Sequence, residues 1–144
     1  MFVMEVTREE SAYKVLQAKH IISNQIKEYI EFVSNCLDND DFVDAMNELL
    51  PFDNCVQSKM KVADDTSVVK SMGLSIMRME IDPPLFSLGV SIEIADRGGN
   101  GTTNSTTFMV ACKTIEELRE YVQTDEFVGL AQMNFEKQIN ECFA

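Results

Sequence analysis

The chain has 144 residues, about the size of one ordinary domain, and 45% of them are hydrophobic, which suffices for a packed core. It carries 24 acidic against 12 basic residues, for a formal net charge of -12. This charge argues against direct binding to nucleic acid or to an anionic membrane, because both depend on clustered Lys and Arg. We expect a single α+β domain over residues 1–144.

The first element is a long helix. The capping-box pattern Thr7-Arg8-Glu9-Glu10 predicts that it starts at residue 8, and a wide apolar stripe then continues to Leu37. Thirty helical residues span about 45 Å, whereas a compact domain of this size is under about 40 Å across. The helix is therefore expected to bend, to break at Ser23-Asn24, or to project into a partner.

A second, shorter helix follows. The acidic run Asp38–Asp41 ends the first helix and caps the second, which Pro51 closes. The run has the composition of a calcium-binding loop. However, Phe42, Val43 and Leu49 stand where that loop needs an oxygen ligand, Gly and Glu. We therefore interpret it as a helix cap.

Four segments then alternate between apolar and polar residues, as strands do. The clearest is Phe86–Ile94. A switch of parity at Ile76-Met77 predicts either a bulge there or a strand that is covered on both faces. The composition of Asp96–Asn104 predicts a loop, after which Phe108, Val110 and Cys112 resume the alternation. Short connections imply an antiparallel meander.

Two more helices complete the chain. Thr114–Glu117 is another capping box, and Thr124 can cap the last helix. The order of elements predicts an α+β fold of two layers. In it, a four-stranded antiparallel meander sheet is covered by the long N-terminal helix plus the short helix and by the C-terminal helices.

The sequence offers little support for catalysis. His20 is the only histidine, no nucleophile motif occurs, and Arg97–Thr103 lacks the Lys of a phosphate-binding loop. The four cysteines form no C-x-x-C pair, which is typical of free thiols in a reducing compartment. We therefore predict no catalytic residue, no metal and no cofactor, and an enzyme is the less favoured class.

The chain ends and hydropathy indicate a cytoplasmic location. The N-terminal residues lack the basic part and the long apolar part of a signal peptide. No run approaches the roughly 18 apolar residues of a membrane span.

The negative charge is concentrated in two segments. Residues 38–53 contain six acidic residues and no basic one, and residues 114–144 contain seven acidic and two basic ones, whereas residues 54–113 are balanced. One interpretation is that these acidic residues lie on the surface and keep the protein soluble. The more specific interpretation is that they form one face that binds a basic partner. The predicted partner-binding residues are Asp38, Asp40, Asp41, Asp44, Glu48, Glu116, Glu117 and Glu120.

The leading hypothesis is a non-enzymatic acidic protein-binding module of the inhibitor, immunity, chaperone or nucleic-acid-mimic type. Its partner would be a basic protein surface, and a protein that itself binds nucleic acid is one candidate. One alternative is a small-molecule-binding or enzymatic α+β domain with a pocket between sheet and helices. Another is an oligomeric structural component, since the long first helix allows a homodimer.

Overall fold

A computed structural model describes residues 2–48, 55–62, 68–81, 84–95 and 101–142, with side chains for 12–48, 55–62, 68–81, 84–94 and 105–142. These ranges contain four helices and four strands, in the predicted order. The elements are α1 (Phe2–Asp38), α2 (Asp40–Asn47), β1 (Val56–Lys61), β2 (Val69–Met79), β3 (Leu85–Ala95), β4 (Gly101–Ala111), α3 (Ile115–Tyr121) and α4 (Asp125–Cys142).

The strands form one antiparallel sheet in the order β1-β2-β3-β4, so the predicted α+β meander is confirmed. Alternate residues of β2 and β3 point toward the helices and are almost fully buried. These residues are Met72, Leu74, Ile76, Phe86, Leu88, Val90 and Ile92. Their burial contributes hydrophobic stabilisation, because it removes apolar area from water.

The helical layer is anchored to the sheet by α1 and α4. Tyr29 on α1 packs edge-on against Phe135 on α4, with ring centroids 5.0 Å apart, and its hydroxyl donates to the carbonyl of Gly73 at 2.8 Å. Burial, with a smaller contribution from Cys36, raises the pKa of Tyr29, so the hydroxyl remains a neutral donor. From α4, the amide nitrogen of Gln138 donates to the carbonyl of Val90 at 3.0 Å.

The first helix differs from its predicted form. It begins at Phe2 instead of residue 8, and it continues through Ser23-Asn24 without a break. Residues 2–38 contain neither Gly nor Pro, so no residue stops the helix before the acidic run. Its 37 residues span about 55 Å, longer than the roughly 36 Å of an eleven-residue strand. Among the side chains of α1 that the structure describes, which begin at residue 12, Ala18 is the first that is fully buried, and Leu16 is 69% exposed.

Two strand predictions are also corrected. The pairing of β2 with β3 runs without interruption through Ile76 and Met77, and the register shifts between Val69 and Ser71 instead. The other alternative, a strand covered on both faces, describes the parity switch better: on the face turned away from the helices, Ser71 and Gly73 are buried and Met77 is half-buried. The strand β4 begins at Gly101, because pairing with β3 extends into the segment whose composition suggested a loop.

The caps predicted for α2, α3 and α4 agree with the structure, unlike the one at Thr7. Asn39 accepts a hydrogen bond from the amide of Phe42 at 3.0 Å, at the start of α2. Thr114 and Thr124 accept from amides three residues ahead, at 3.2 and 3.3 Å. Residues 49–54, 63–67, 82–83, 96–100 and 143–144, which include Leu49 and Pro51, lie outside the described residues.

Replacing Tyr29 tests the link between α1 and the sheet. Tyr29→Phe retains the ring but removes the buried hydrogen bond, so the free energy of unfolding should fall by about 1 kcal/mol. Urea unfolding measures the change. Tyr13→Phe is the matched control, because Tyr13 is 67% exposed and its substitution should change stability very little. Equal stabilities of the two variants would contradict a structural role for the bond.

Candidate acidic interaction site

The first acidic segment forms a ridge on α2. Asp40, Asp44 and Glu48 follow one another at every fourth position, which places them on one side of the helix, and all three are exposed. Asn39 starts the helix, so two carboxylates in its first turn also interact favourably with the helix dipole. The ridge therefore combines a helix-stabilising role with an exposed row of negative charge.

The second acidic segment forms a similar ridge on α3. Glu116 and Glu120 are four residues apart and exposed. Glu117 has a local role instead: its carboxylate accepts a hydrogen bond from the amide of Lys113 at 2.7 Å and thereby completes the cap of α3. Of the three predicted residues on this helix, Glu117 is thus engaged within the chain.

Arg119 joins the two segments. Its Nε donates to the carbonyl of Leu37 at 2.8 Å and lies 3.3 Å from the carboxylate of Asp38, both at the end of α1. Its Nη1 lies 3.8 Å from the carboxylate of Glu116. The guanidinium therefore satisfies a terminal carbonyl of α1 and holds acidic residues of α1 and α3 near each other.

A groove of about 480 Å³ lies between α2 and α3, at the end of the sheet where β2 leads into β3. Val43 and Asn47 line it from α2, and Ile115 and Glu116 line it from α3. Arg78 also lines it; its guanidinium donates to the side chain and the carbonyl of Asn47, at 3.1 and 3.0 Å, and pairs with the adjacent Glu80. The groove thus combines apolar side chains, the carboxylates of Glu80 and Glu116, and three basic residues, of which Arg78 and Arg119 are paired within the chain and Lys113 is exposed.

The predicted residues divide into three groups. Glu116 lines the groove, and Asp38 forms an ion pair with Arg119, which also lines it. Asp40, Asp44, Glu48 and Glu120 are exposed on the flanking ridges. Asp41 lies elsewhere, beside a separate groove that Phe42 and Ser58 also line, and Glu117 caps α3. Arg78 and Arg119 were not predicted from the sequence, since a single basic residue on a strand or a helix carries no signal of its own without tertiary contacts.

The thiols near this site are suited to a structural role. Cys112 is buried; burial raises the pKa of its thiol, and the carboxylate of Glu117 acts in the same direction. A raised pKa disfavours the thiolate, which is the nucleophilic form. None of the four cysteines forms a disulfide bond. Within the described ranges, no three His, Cys, Asp or Glu side chains are placed to hold a metal ion.

A second groove, of about 470 Å³, lies on the opposite face of the sheet. Gly73 and Gly89 keep its floor low, because a Cβ at either position would collide with the hydroxyl of Ser91 or Ser75 on the neighbouring strand. The side chains that line this groove are mainly hydroxyl-bearing or charged. They include Gln57, Lys59, Ser71, Ser75, Ser91, Glu93 and Ser105.

No protein-family model matches the chain, and neither curated proteins nor solved structures yield a significant match. Among the described helices, none combines the length and the apolar character that crossing a membrane requires. Function is therefore inferred from the geometry of the molecule.

Removing the arginine between the two segments tests its role. Arg119→Leu should lower the free energy of unfolding by about 1–2 kcal/mol, since a terminal carbonyl of α1 and two carboxylates lose their partner. The loss should shrink at high salt, where ion pairs are screened. Denaturant unfolding at low and high salt measures both effects.

The control variant is Lys137→Leu. Lys137 is exposed on α4 and forms no ion pair with another described residue, so its removal makes the same change in net charge without breaking a contact. A loss of stability equal to that of Arg119→Leu would mean that net charge, and not the bridge, is responsible.

Proposed function

We propose that this protein is a non-enzymatic binding module that engages a basic surface of another protein. The binding face is the acidic end, defined as the ridge Asp40, Asp44 and Glu48 on α2, the ridge Glu116 and Glu120 on α3, and the groove between the two helices. Asp38 and Arg119 belong to it as the connection between the ridges.

The single observation that carries this proposal is the bridge at Arg119. It brings the ends of α1 and α3 together, although the acidic segments are far apart in the sequence. Without such a link, the charge would be distributed over unrelated surfaces. Charges of one sign on one face create a field that attracts and orients an oppositely charged partner.

The exposure of the carboxylates on the two ridges also supports binding. Asp40, Asp44, Glu48 and Glu120 are exposed and form no ion pair with any residue that the structure describes. Their charge is therefore unneutralised by the chain itself. Contact with a partner would gain favourable charge pairs, and the desolvation cost would be small because the ridges are at the surface.

The groove has the chemistry to accept a Lys or Arg side chain. Val43 and Ile115 offer apolar walls, and Ile81 at the same groove is 51% exposed. A long basic side chain can place its methylene stem on such walls and its charged end at the carboxylate of Glu116. The charges of Arg78 and Arg119 are offset by ion pairs with Glu80 and with Asp38 and Glu116, which reduces their repulsion of an incoming cation.

Finer features of the function belong to the same proposal. The module itself would be of the inhibitor, immunity, chaperone or nucleic-acid-mimic type, and a nucleic-acid-binding protein is one candidate target. The proposed location is the cytoplasm, which the lack of a disulfide among Cys36, Cys55, Cys112 and Cys142 supports, because reduced thiols are typical of reducing compartments.

Charge reversal tests the proposal. The triple variant Asp40→Lys, Asp44→Lys, Glu116→Lys alters both ridges, and we expect it to weaken binding of a captured basic partner by on the order of tenfold or more. Affinity capture at low and high salt identifies the partner, and titration with that purified partner gives the dissociation constant. Wild-type binding should weaken at high salt.

The matched control is the triple variant Asp125→Lys, Glu126→Lys, Glu141→Lys, which changes net charge equally at exposed positions of α4. It should bind almost as the wild type does. Equal losses in the two triple variants would show that total charge alone matters, and retained binding in the first would remove the acidic end from the interface.

A further inference from the structure

The two edges of the sheet differ in length and in charge. The strand β1 has 6 residues and includes two lysines, whereas β4 has 11 residues and no charged one. Within the described part of the chain, neither strand has a partner on its outer side. Natural edge strands are generally protected from further pairing by shortness, Lys or Pro, and β4 has none of these protections.

The outward backbone groups of β4 follow from the register. The amide of Cys112 donates to the carbonyl of Pro84 at 3.1 Å, which continues the pairing of Ala111 with Leu85. In an antiparallel ladder, alternate residues direct both N–H and C=O to the same neighbour. Even-numbered residues of β4 therefore bond to β3, and odd-numbered ones face outward. Of these, Ser105 and Thr107 are exposed.

The same reasoning applied to β1 gives a protected edge. The amide of Val62 donates to the carbonyl of Lys70 at 3.1 Å, so the outward residues of β1 are Gln57, Lys59 and Lys61. On β4 the outward residues are Gly101, Thr103, Ser105, Thr107, Met109 and Ala111. One edge thus carries two cations, and the other offers six uncharged residues with unpaired N–H and C=O groups.

We propose that β4 pairs antiparallel with β4 of a second copy of this chain, so that two sheets join into one of eight strands. The register is centred on Thr106 and places Ser105 opposite Thr107 of the second copy. It also places Thr103 opposite Met109 and Gly101 opposite Ala111 of that copy. Every outward residue of β4 then has an outward residue opposite it, which is the requirement of a hydrogen-bonded pair.

A second copy of β4 suits this edge better than a strand that carries charges, because neither of two paired β4 strands brings a charged residue to the joint. No charged side chains meet along β4, so the like-charge contacts that destabilise cross-strand pairs are absent from the joint. The acidic end follows the carboxyl terminus of β4. Antiparallel pairing places the two acidic ends at opposite ends of a strand about 36 Å long. Repulsion between two chains of net charge -12 is thereby reduced.

The helices also allow the pairing. On α4, Gln138 reaches Val90 of β3 and Thr106 of β4, so the helix lies over both strands. With strands about 4.8 Å apart, the two copies of α4 lie about 10 Å apart, which is an ordinary helix-packing distance. Leu130 and Asn134, four and eight residues before Gln138 on the same side of α4, are half-buried and face this contact.

Charge pairing across the joint tests both the contact and its register. The double variant Ser105→Lys, Thr107→Lys places Lys opposite Lys twice, and Ser105→Glu, Thr107→Glu places Glu opposite Glu twice. Each should raise the dissociation constant of the dimer at least about tenfold. An equimolar mixture places Lys opposite Glu and should restore the dimer. Sedimentation velocity measures mass: the wild type should have twice the chain mass of 16.3 kDa, and each double variant 16.3 kDa.

Two controls keep the result interpretable. Gln57→Lys adds a charge at the outward edge of β1 and should leave the dimer intact. Circular dichroism should show that the double variants keep the fold, since their side chains are exposed and their backbones face away from β3. A monomeric wild type, a dimer that persists in both double variants, or folded variants whose mixture stays monomeric would each overturn the proposal. Persistence would indicate another contact, such as α1 near Leu16.

Discussion

Helices cover one face of the four-stranded sheet, and hydrophobic burial on that face is the constraint on which the other features depend. Because α1 and α4 remove the inner side chains of β2 and β3 from water, those strands must alternate apolar and polar residues. The buried hydroxyl of Tyr29 then fixes α1 on the sheet through Gly73. Among the residues that the structure describes, no helix or strand covers the other face of the sheet or pairs with the outer edge of β4.

Both proposed surfaces lie at the borders of the two-layer fold, one at the helix termini and one at the edge of the sheet. At one end, the helix termini come together, and Arg119 holds Asp38 and Glu116 in place while Arg78 binds the end of α2. At the side, the sheet stops at a strand with no charge. A basic partner at the acidic end and a second copy at β4 would occupy separate regions, so the chain could bind both at once.

Local signals in the sequence predicted much of the fold. The alternation in Phe86–Ile94 gave the central strand, and Thr114 and Thr124 marked the starts of two helices, because caps and alternation depend on neighbouring residues alone. Two errors have different causes. The capping box at Thr7 did not start α1, because no Gly or Pro before it stops the helix, whereas the strand β4 begins at Gly101 because hydrogen bonds to β3 outweigh the turn composition there.

By itself, the sequence determined the element order, the α+β class and the concentration of acid in two segments, because each follows from residue type and spacing. Only the tertiary structure decided that Asp38 and Glu116 meet at one arginine and that Asp41 lies elsewhere. It also decided which backbone groups of β4 face outward. The physical reason is that ion pairs and strand register depend on distances between segments remote in the chain, and those distances exist only once the core has packed.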